Sequence, residues 1–241
     1  MNSMLLIYLV ITVISVTGFV FIFWRAGYWN KLLVKLSIVE EHTAVNDAVN
    51  SWRTCLEQLD VHADIVFLGD SITRNGDFRS FFPTKRICNL GCAGDSILNI
   101  ADRVSMIPTV QPRTVIVMGG INSLASRTLK QSLRHYERLL ENLSKNQPCK
   151  QVIILSVLPV SADSHFCNNK KIVAFNAAIK GMAEAKKYIY IDLFSQYAKD
   201  GSLPAEYSED GLHLKPDCYT IWANAVSQYI GSDRAGAGTS P

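Results

Sequence analysis

The chemistry this chain could carry rests on Ser71, Asn122, Asp210 and His213, with glycines nearby. Asp210-x-x-His213 sets a carboxylate three residues from an imidazole. A serine hydroxyl becomes a nucleophile when imidazole removes its proton and a carboxylate fixes the ring's tautomer and offsets its charge. The pair alone is weak, since random placement of 13 Asp and five His over 241 positions supplies roughly 0.27 such pairs. Each other residue also has a plain reading. Ser71 can cap a helix, Gly91 and Gly94 can serve tight turns that need positive φ, and Asn122 can satisfy its own backbone in a turn. Their conjunction is more specific than any part.

The elements that must position them follow from hydropathy patterning. Short apolar runs at Ile65–Leu68, Arg86–Leu90, Thr114–Met118, Val152–Leu158 and Tyr188–Ile191 have the character of buried parallel strands. Helical spacing joins Val45, Val49, Trp52, Leu56 and Leu59 before the first run. It recurs over about 97–107, through Leu129, Leu133, Tyr136, Leu140 and Leu143, through Ile172, Phe175, Ile179 and Met182, and over about 216–230. Five strands with helical crossovers predict a three-layer α/β/α, doubly wound parallel sheet. Ligands in such folds bind beyond the carboxyl ends of the strands. The first three runs lead into Gly69-Asp70-Ser71, Gly91-Cys92-Ala93-Gly94-Asp95 and Gly119-Gly120-Ile121-Asn122, while Asp210 and His213 precede the last helix. That topology would converge a nucleophile, oxyanion donors and a base on one face.

Other chemistries lack their signatures. There is no G-x-S-x-G, with Thr73 standing where that motif needs Gly, and no Walker A, H-E-x-x-H or G-x-G-x-x-G opening a helix. A net charge of +3, dispersed along the chain, gives no basic groove for nucleic acid. The six cysteines form no C-x-x-C and no Cys/His cluster at zinc spacing, so neither a metal nor a cofactor is expected. Cys88, Cys149, Cys167 and Cys218 are read as small core or near-surface thiols, with a disulfide framework the lesser alternative. Cys92 lies in the second glycine loop and is read as a small residue rather than a redox switch.

Met4–Trp24 runs 21 residues without a charged side chain. As a helix it reaches roughly 30 Å, the thickness of a bilayer's hydrocarbon core. A transmembrane anchor over 1–24 is therefore expected, rather than a signal peptide, which calls for a basic start and a small-residue exit. Residues 25–42 follow as a basic amphipathic segment or a solvated linker, and Arg25, Lys31 and Lys35 lean the main domain, 43–230, toward the cytoplasmic side. The Gly-rich 231–241 is expected to be a disordered tail.

Four blocks in order, Asp64–Thr73, Asn89–Ser96, Gly120–Ser123 and Asp210–Leu214, resemble those of the SGNH or GDSL hydrolases, within them the branch similar to platelet-activating-factor acetylhydrolase catalytic subunits. The resemblance spans roughly residues 60–230 and implies a flavodoxin-like SGNH fold. It implies Ser71 as nucleophile, His213 as base and Asp210 as its partner. The oxyanion hole would combine the Ser71 and Gly94 amides with the Asn122 side chain. Arg103 looks like an arginine common in that branch and is given no catalytic role. Ser123 stands where the third block usually has Asp, a departure that bears on loop rigidity rather than on the reaction. The expectation is a membrane-anchored serine esterase acting on small, acetyl-like acyl esters of lipids or glycans. The alternatives are a lysophospholipase or thioesterase for longer chains, and a catalytically silent binding protein on the same fold.

Overall fold

The computed structural model describes Trp52, residues 54–145 and residues 149–230, all within one compact unit, Ala44–Pro241. The expected anchor over 1–24, the amphipathic segment 25–42, Val45 and Val49 of the first helix, and the tail 231–241 lie outside the described residues. Among the described residues no helix is long and apolar enough to cross a membrane.

Five strands form one parallel sheet: β1 (Ile65–Gly69), β2 (Ile87–Gly91), β3 (Thr114–Met118), β4 (Gln151–Leu155) and β5 (Ile189–Ile191), in the order β2-β1-β3-β4-β5. Every residue of β1 and β3 is buried, as a sheet covered on both faces requires. The strand order reverses at β1, whose neighbours are β2 and β3, so the crevice past its carboxyl end is the place where such a sheet opens to a ligand.

The helices that matter for the site are α1 (Ser71–Asn75), α2 (Ile97–Arg103), α3 (Ile121–Ser126), α4 (Leu129–Lys145), α5 (Asn169–Ala185) and α6 (Tyr219–Ser227). α4 packs against both α2 and α5, with its Tyr136 edge-on to Phe175 of α5. A separate aromatic group joins β1 to α6: Phe67 stacks on Phe78 with ring centroids 3.7 Å apart, and Phe78 meets Tyr219 and Trp222. These rings fix the last helix, and with it the loop bearing His213, relative to the strand that ends at Ser71.

Three elements differ from the sequence reading. The helix expected over 97–107 is divided into α2, a 3₁₀ turn at Val104–Met106 and a short helix at Ile107–Val110. Pro108 in that last piece has no N–H to give the turn before it. The fourth strand stops at Leu155 rather than Leu158, because the Val157 N–H turns to the Asn176 side chain instead of a neighbouring strand. Residues 157 and 158 stay fully buried, which explains their apolar character. The last helix begins as a 3₁₀ turn at Pro216–Cys218.

Candidate active site

The site begins where β1 meets α1. Gly69 admits close approach, since a Cβ there would lie 2.1 Å from both the Met118 carbonyl and Thr73 Oγ1. Asp70 then caps α1, its Oδ1 accepting from the Ile72 N–H at 3.1 Å. This leaves Ser71 as the first helical residue, half-buried at the carboxyl end of the sheet. Tyr219 at the start of α6 donates its hydroxyl to the Ile72 carbonyl at 2.6 Å and ties α1 to the far end of the domain.

His213 and Asp210 reach this point from a tightly wound loop. Asp210 Oδ1 accepts from the Leu212 N–H at 3.0 Å, the His213 N–H at 2.7 Å and Ser208 Oγ at 3.2 Å. Its other oxygen lies 2.6 Å from His213 Nδ1, and His213 Nε2 lies 2.9 Å from Ser71 Oγ. An ionised carboxylate can only accept, so the Nδ1 proton faces Asp210 and Nε2 is left to accept from the Ser71 hydroxyl. Partial burial works to raise the Asp210 pKa, but the His213 side chain and the two backbone N–H groups outweigh it and hold the carboxyl well below the usual range. Asp210 is therefore a standing negative charge beside the ring.

The oxyanion side is built from the two neighbouring strands. The loop after β2 is anchored by the Cys92 N–H donating to the Gly69 carbonyl at 3.0 Å. Gly94 takes φ +78°, a left-handed conformation that favours glycine, and a Cβ there would meet nothing within 4 Å. Asn122, in the first turn of α3, donates Nδ2 to the Asp95 carbonyl at 2.9 Å and keeps a second Nδ2 hydrogen. Among the described residues the Ser71 and Gly94 backbone N–H groups donate to no protein acceptor. The arrangement can take a proton from a hydroxyl and offers uncommitted donors from the loops around it. Ser71, His213 and Asp210 are joined directly, whereas Gly94 and Asn122 are joined to each other through Asp95.

Two residues gain weight that the sequence did not give them. Arg103 is 2 % exposed and donates to the Asp95 carboxylate, the Leu90 carbonyl and the Gly69 carbonyl, so it pins the ends of β1 and β2 to the glycine loop. Asp70 is fully buried, and its Oδ2 has no partner of good hydrogen-bond geometry. Burial pushes its pKa up to about 6, with Asp95 adding to the rise and the Ile72 and Gly120 N–H groups and His213 opposing it. The resemblance to an arginine common in the related branch was the one signal for the first, while nothing in the sequence marks the burial of the second.

Ser123, the departure in the third block, is fully buried and accepts the Ile97 N–H on its Oγ at 2.9 Å. It joins α3 to the start of α2 and holds the loop as a hydroxyl rather than a carboxylate. All six cysteines are free. Burial, with Asp95 adding to it, pushes the Cys92 thiol up despite the nearby Arg103, which fits a small unreactive residue. Among the described residues no group of three metal-binding side chains comes together.

Residues 67–221, more than half of the chain, match the model of the GDSL-like lipase/acylhydrolase family. Several solved structures share the fold. A Streptococcus pneumoniae protein provisionally assigned as a platelet activating factor is 22% identical with a TM-score of 0.66, over 78% of this chain and 94% of its own. A GDSL-like lipase from Bacteroides thetaiotaomicron is 22% identical with a TM-score of 0.63, over 76% of this chain and 96% of its own. An acetyl-xylooligosaccharide esterase from Geobacillus stearmophilus is 19% identical with a TM-score of 0.58, over 73% of this chain and 98% of its own. No curated protein matches in sequence. With its family model covering the strand ends and the His213 loop alike, the chain belongs to the GDSL-like lipase/acylhydrolase family and is a carboxylic ester hydrolase.

Proposed function

We propose that the protein is a membrane-anchored serine esterase that removes small, acetyl-like acyl groups through a covalent acyl-enzyme. The observation that carries this reading is the unbroken series from Asp210 Oδ2 through His213 to Ser71 Oγ, with gaps of 2.6 and 2.9 Å. In the first step Nε2 takes the hydroxyl proton as Ser71 Oγ attacks the ester carbonyl, and Asp210 stabilises the imidazolium. The developing oxyanion is met by the Ser71 and Gly94 amides and the free Nδ2 hydrogen of Asn122, each well-placed donor contributing on the order of 3 kcal/mol. The imidazolium returns its proton to the departing alcohol. Water, activated by the same ring, then releases the acid.

The small acyl group is favoured because, among the described residues between the catalytic blocks, the longest stretches outside helices and strands are 156–168 and 198–209, which leave no insertion for a large lid. Structural neighbours that are acetyl xylan and acetyl-xylooligosaccharide esterases support the same reading. The anchor rests on the uncharged run Met4–Trp24. The test is hydrolysis of p-nitrophenyl esters from acetate to decanoate by the full-length protein, with Ser71→Ala as control. Turnover that is greatest on acetate and absent in the variant is expected. A preference for octanoate or longer chains would replace the small-acyl reading with lipid or thioester chemistry, and equal inertness of both proteins would end the esterase reading.

A further inference from the structure

Beside the catalytic loops lies a cavity of about 870 Å³, formed by the chain from Ser161 to the start of α5, by Leu124 and Ala125 of α3, and by Asp200–Ser202. Its walls are tied to the loops of the site at two points. Leu124 stands two residues after Asn122 on the same helix, and Ser161 donates its N–H at 2.9 Å to the carbonyl of Gly211, between Asp210 and His213. Gly211 takes φ +75°, and a Cβ there would lie 2.3 Å from Ser161 Oγ, so the cavity wall and the His213 loop are fitted closely together. The cavity is far larger than an acetyl group needs and falls within the size range of small-molecule sites.

We infer that this cavity binds the alcohol half of the ester, and that the alcohol is a carbohydrate of more than one sugar ring. The inference rests on the esterase reading above and goes beyond it by naming the leaving group. The lining has a fixed part and a free part. Asn169 is committed to the Val160 backbone and Ser202, and Lys171 donates to the Leu124 and Arg127 carbonyls, which close the end of α3. Among the described residues the side chains of His165, Lys170 and Asp200 make no hydrogen bond or ion pair within the chain. They offer donors and acceptors of both signs, which suits hydroxyl groups, each able to donate and accept, better than it suits an anion.

The apolar part of the lining points the same way. Of the three exposed large hydrophobic side chains among the described residues, Phe166 at 42% and Val173 at 50% both line this cavity. A ring and a small aliphatic group set among hydroxyl, amide and charged groups match a sugar, whose C–H face packs on an aromatic while its edge hydrogen-bonds. A long acyl chain calls for a continuous apolar wall, and here Ser, Asn, Lys, His and Asp residues line the cavity together with the apolar ones.

The test compares acetylated xylotetraose with methyl acetate, whose alcohol is too small to fill the cavity, as substrates of the full-length protein and of Phe166→Ala and Asp200→Ala. Both variants change exposed side chains, and because Ala in place of Asp200 must hold φ +51°, thermal unfolding checks that the fold is kept. The expected result is a rise of about tenfold in KM for the acetylated tetraose in Phe166→Ala, the scale of one lost aromatic contact, a smaller rise in Asp200→Ala, and no change on methyl acetate. Hydrolysis of methyl acetate without the tetraose, or a KM for the tetraose that neither variant moves, overturns the carbohydrate assignment and leaves the esterase reading intact. So does a loss confined to p-nitrophenyl decanoate, which would give the cavity to the acyl chain. If every ester is inert, the esterase reading fails separately. Calorimetry of unacetylated xylotetraose on Ser71→Ala then decides the cavity: binding that Phe166→Ala removes supports it, and no binding overturns it.

Discussion

Arg103 and Asp95 form a buried ion pair, at 2% and 8% side-chain exposure, whose guanidinium also donates to the Gly69 carbonyl at 2.7 Å and to the Leu90 carbonyl. The Asp95 backbone carbonyl in turn accepts the Asn122 side chain. One cation thus fixes the carboxyl ends of two strands and the loop carrying Gly94. Removing one partner of a buried pair leaves the other charge unpaired, which costs about 3–5 kcal/mol. Arg103→Met should lose stability on that scale in urea unfolding. Arg103→Lys keeps the charge but not the planar fork. At a temperature where it is fully folded it should lower kcat on acetate esters with little change in KM, because the oxyanion donors act on the transition state. Unchanged kcat in a folded Arg103→Lys would reduce Arg103 to a purely structural role.

The Asp210–His213–Ser71 series acts as a unit. Ser71→Ala and His213→Ala should each lower kcat on p-nitrophenyl acetate by about 10⁴-fold or more, and the double variant should be no worse than either single one. Additive losses in steady-state assays would mean that the two residues do not share one step.

Asn122 and Gly94 separate a side-chain donor from a backbone donor. Asn122→Ala should reduce kcat by about 10²–10³-fold while leaving KM nearly unchanged. Gly94→Ala meets no steric obstacle but must hold φ +78°, so it should cost about 1 kcal/mol of stability through backbone strain. Thermal unfolding checks this, and a loss of several kcal/mol would show that the loop is packed more tightly than the structure has it.

Asp70 gives a stability signature in pH. Its carboxyl ionises near 3.8 when unfolded and at about 6 when buried. Below pH 3.8 both states hold the proton and there is no penalty; as pH rises toward 6 the unfolded state gives it up first, and the native state loses about 3 kcal/mol. Asp70→Asn cannot titrate and keeps a good helix cap. The difference in unfolding free energy between wild type and Asp70→Asn should therefore shift by about 2 kcal/mol of that against wild type between pH 4 and pH 7, on top of any constant offset. A pH-independent difference would place the Asp70 pKa near its ordinary value.

Much of this was legible in the sequence because burial writes a plain pattern. β1 and β3 are buried on both faces and are found within a residue of their apolar runs. α4, at seventeen residues, is long enough for its spacing to show. α1 and α3, of five and six residues, are too short to establish a period and were not legible as helices, although Ser71 and Asn122 sit on them. Ser71 and His213 are 142 positions apart, and only the topology rule for parallel sheets predicts their meeting. Contacts made by single side chains across the fold left no trace: Asn176 ending β4, Ser123 holding Ile97, and Arg103 reaching Gly69. Each is a hydrogen bond between residues whose types alone do not name a partner.

The most direct measurement is covalent capture of the nucleophile. The full-length protein is incubated with a fluorophosphonate ester and digested, and the adduct is located by mass spectrometry. A single adduct on Ser71, absent from Ser71→Ala and formed far more slowly in His213→Ala, is the predicted result. No adduct, or one on another serine at the same rate in all three proteins, would contradict the assignment of Ser71 as the nucleophile.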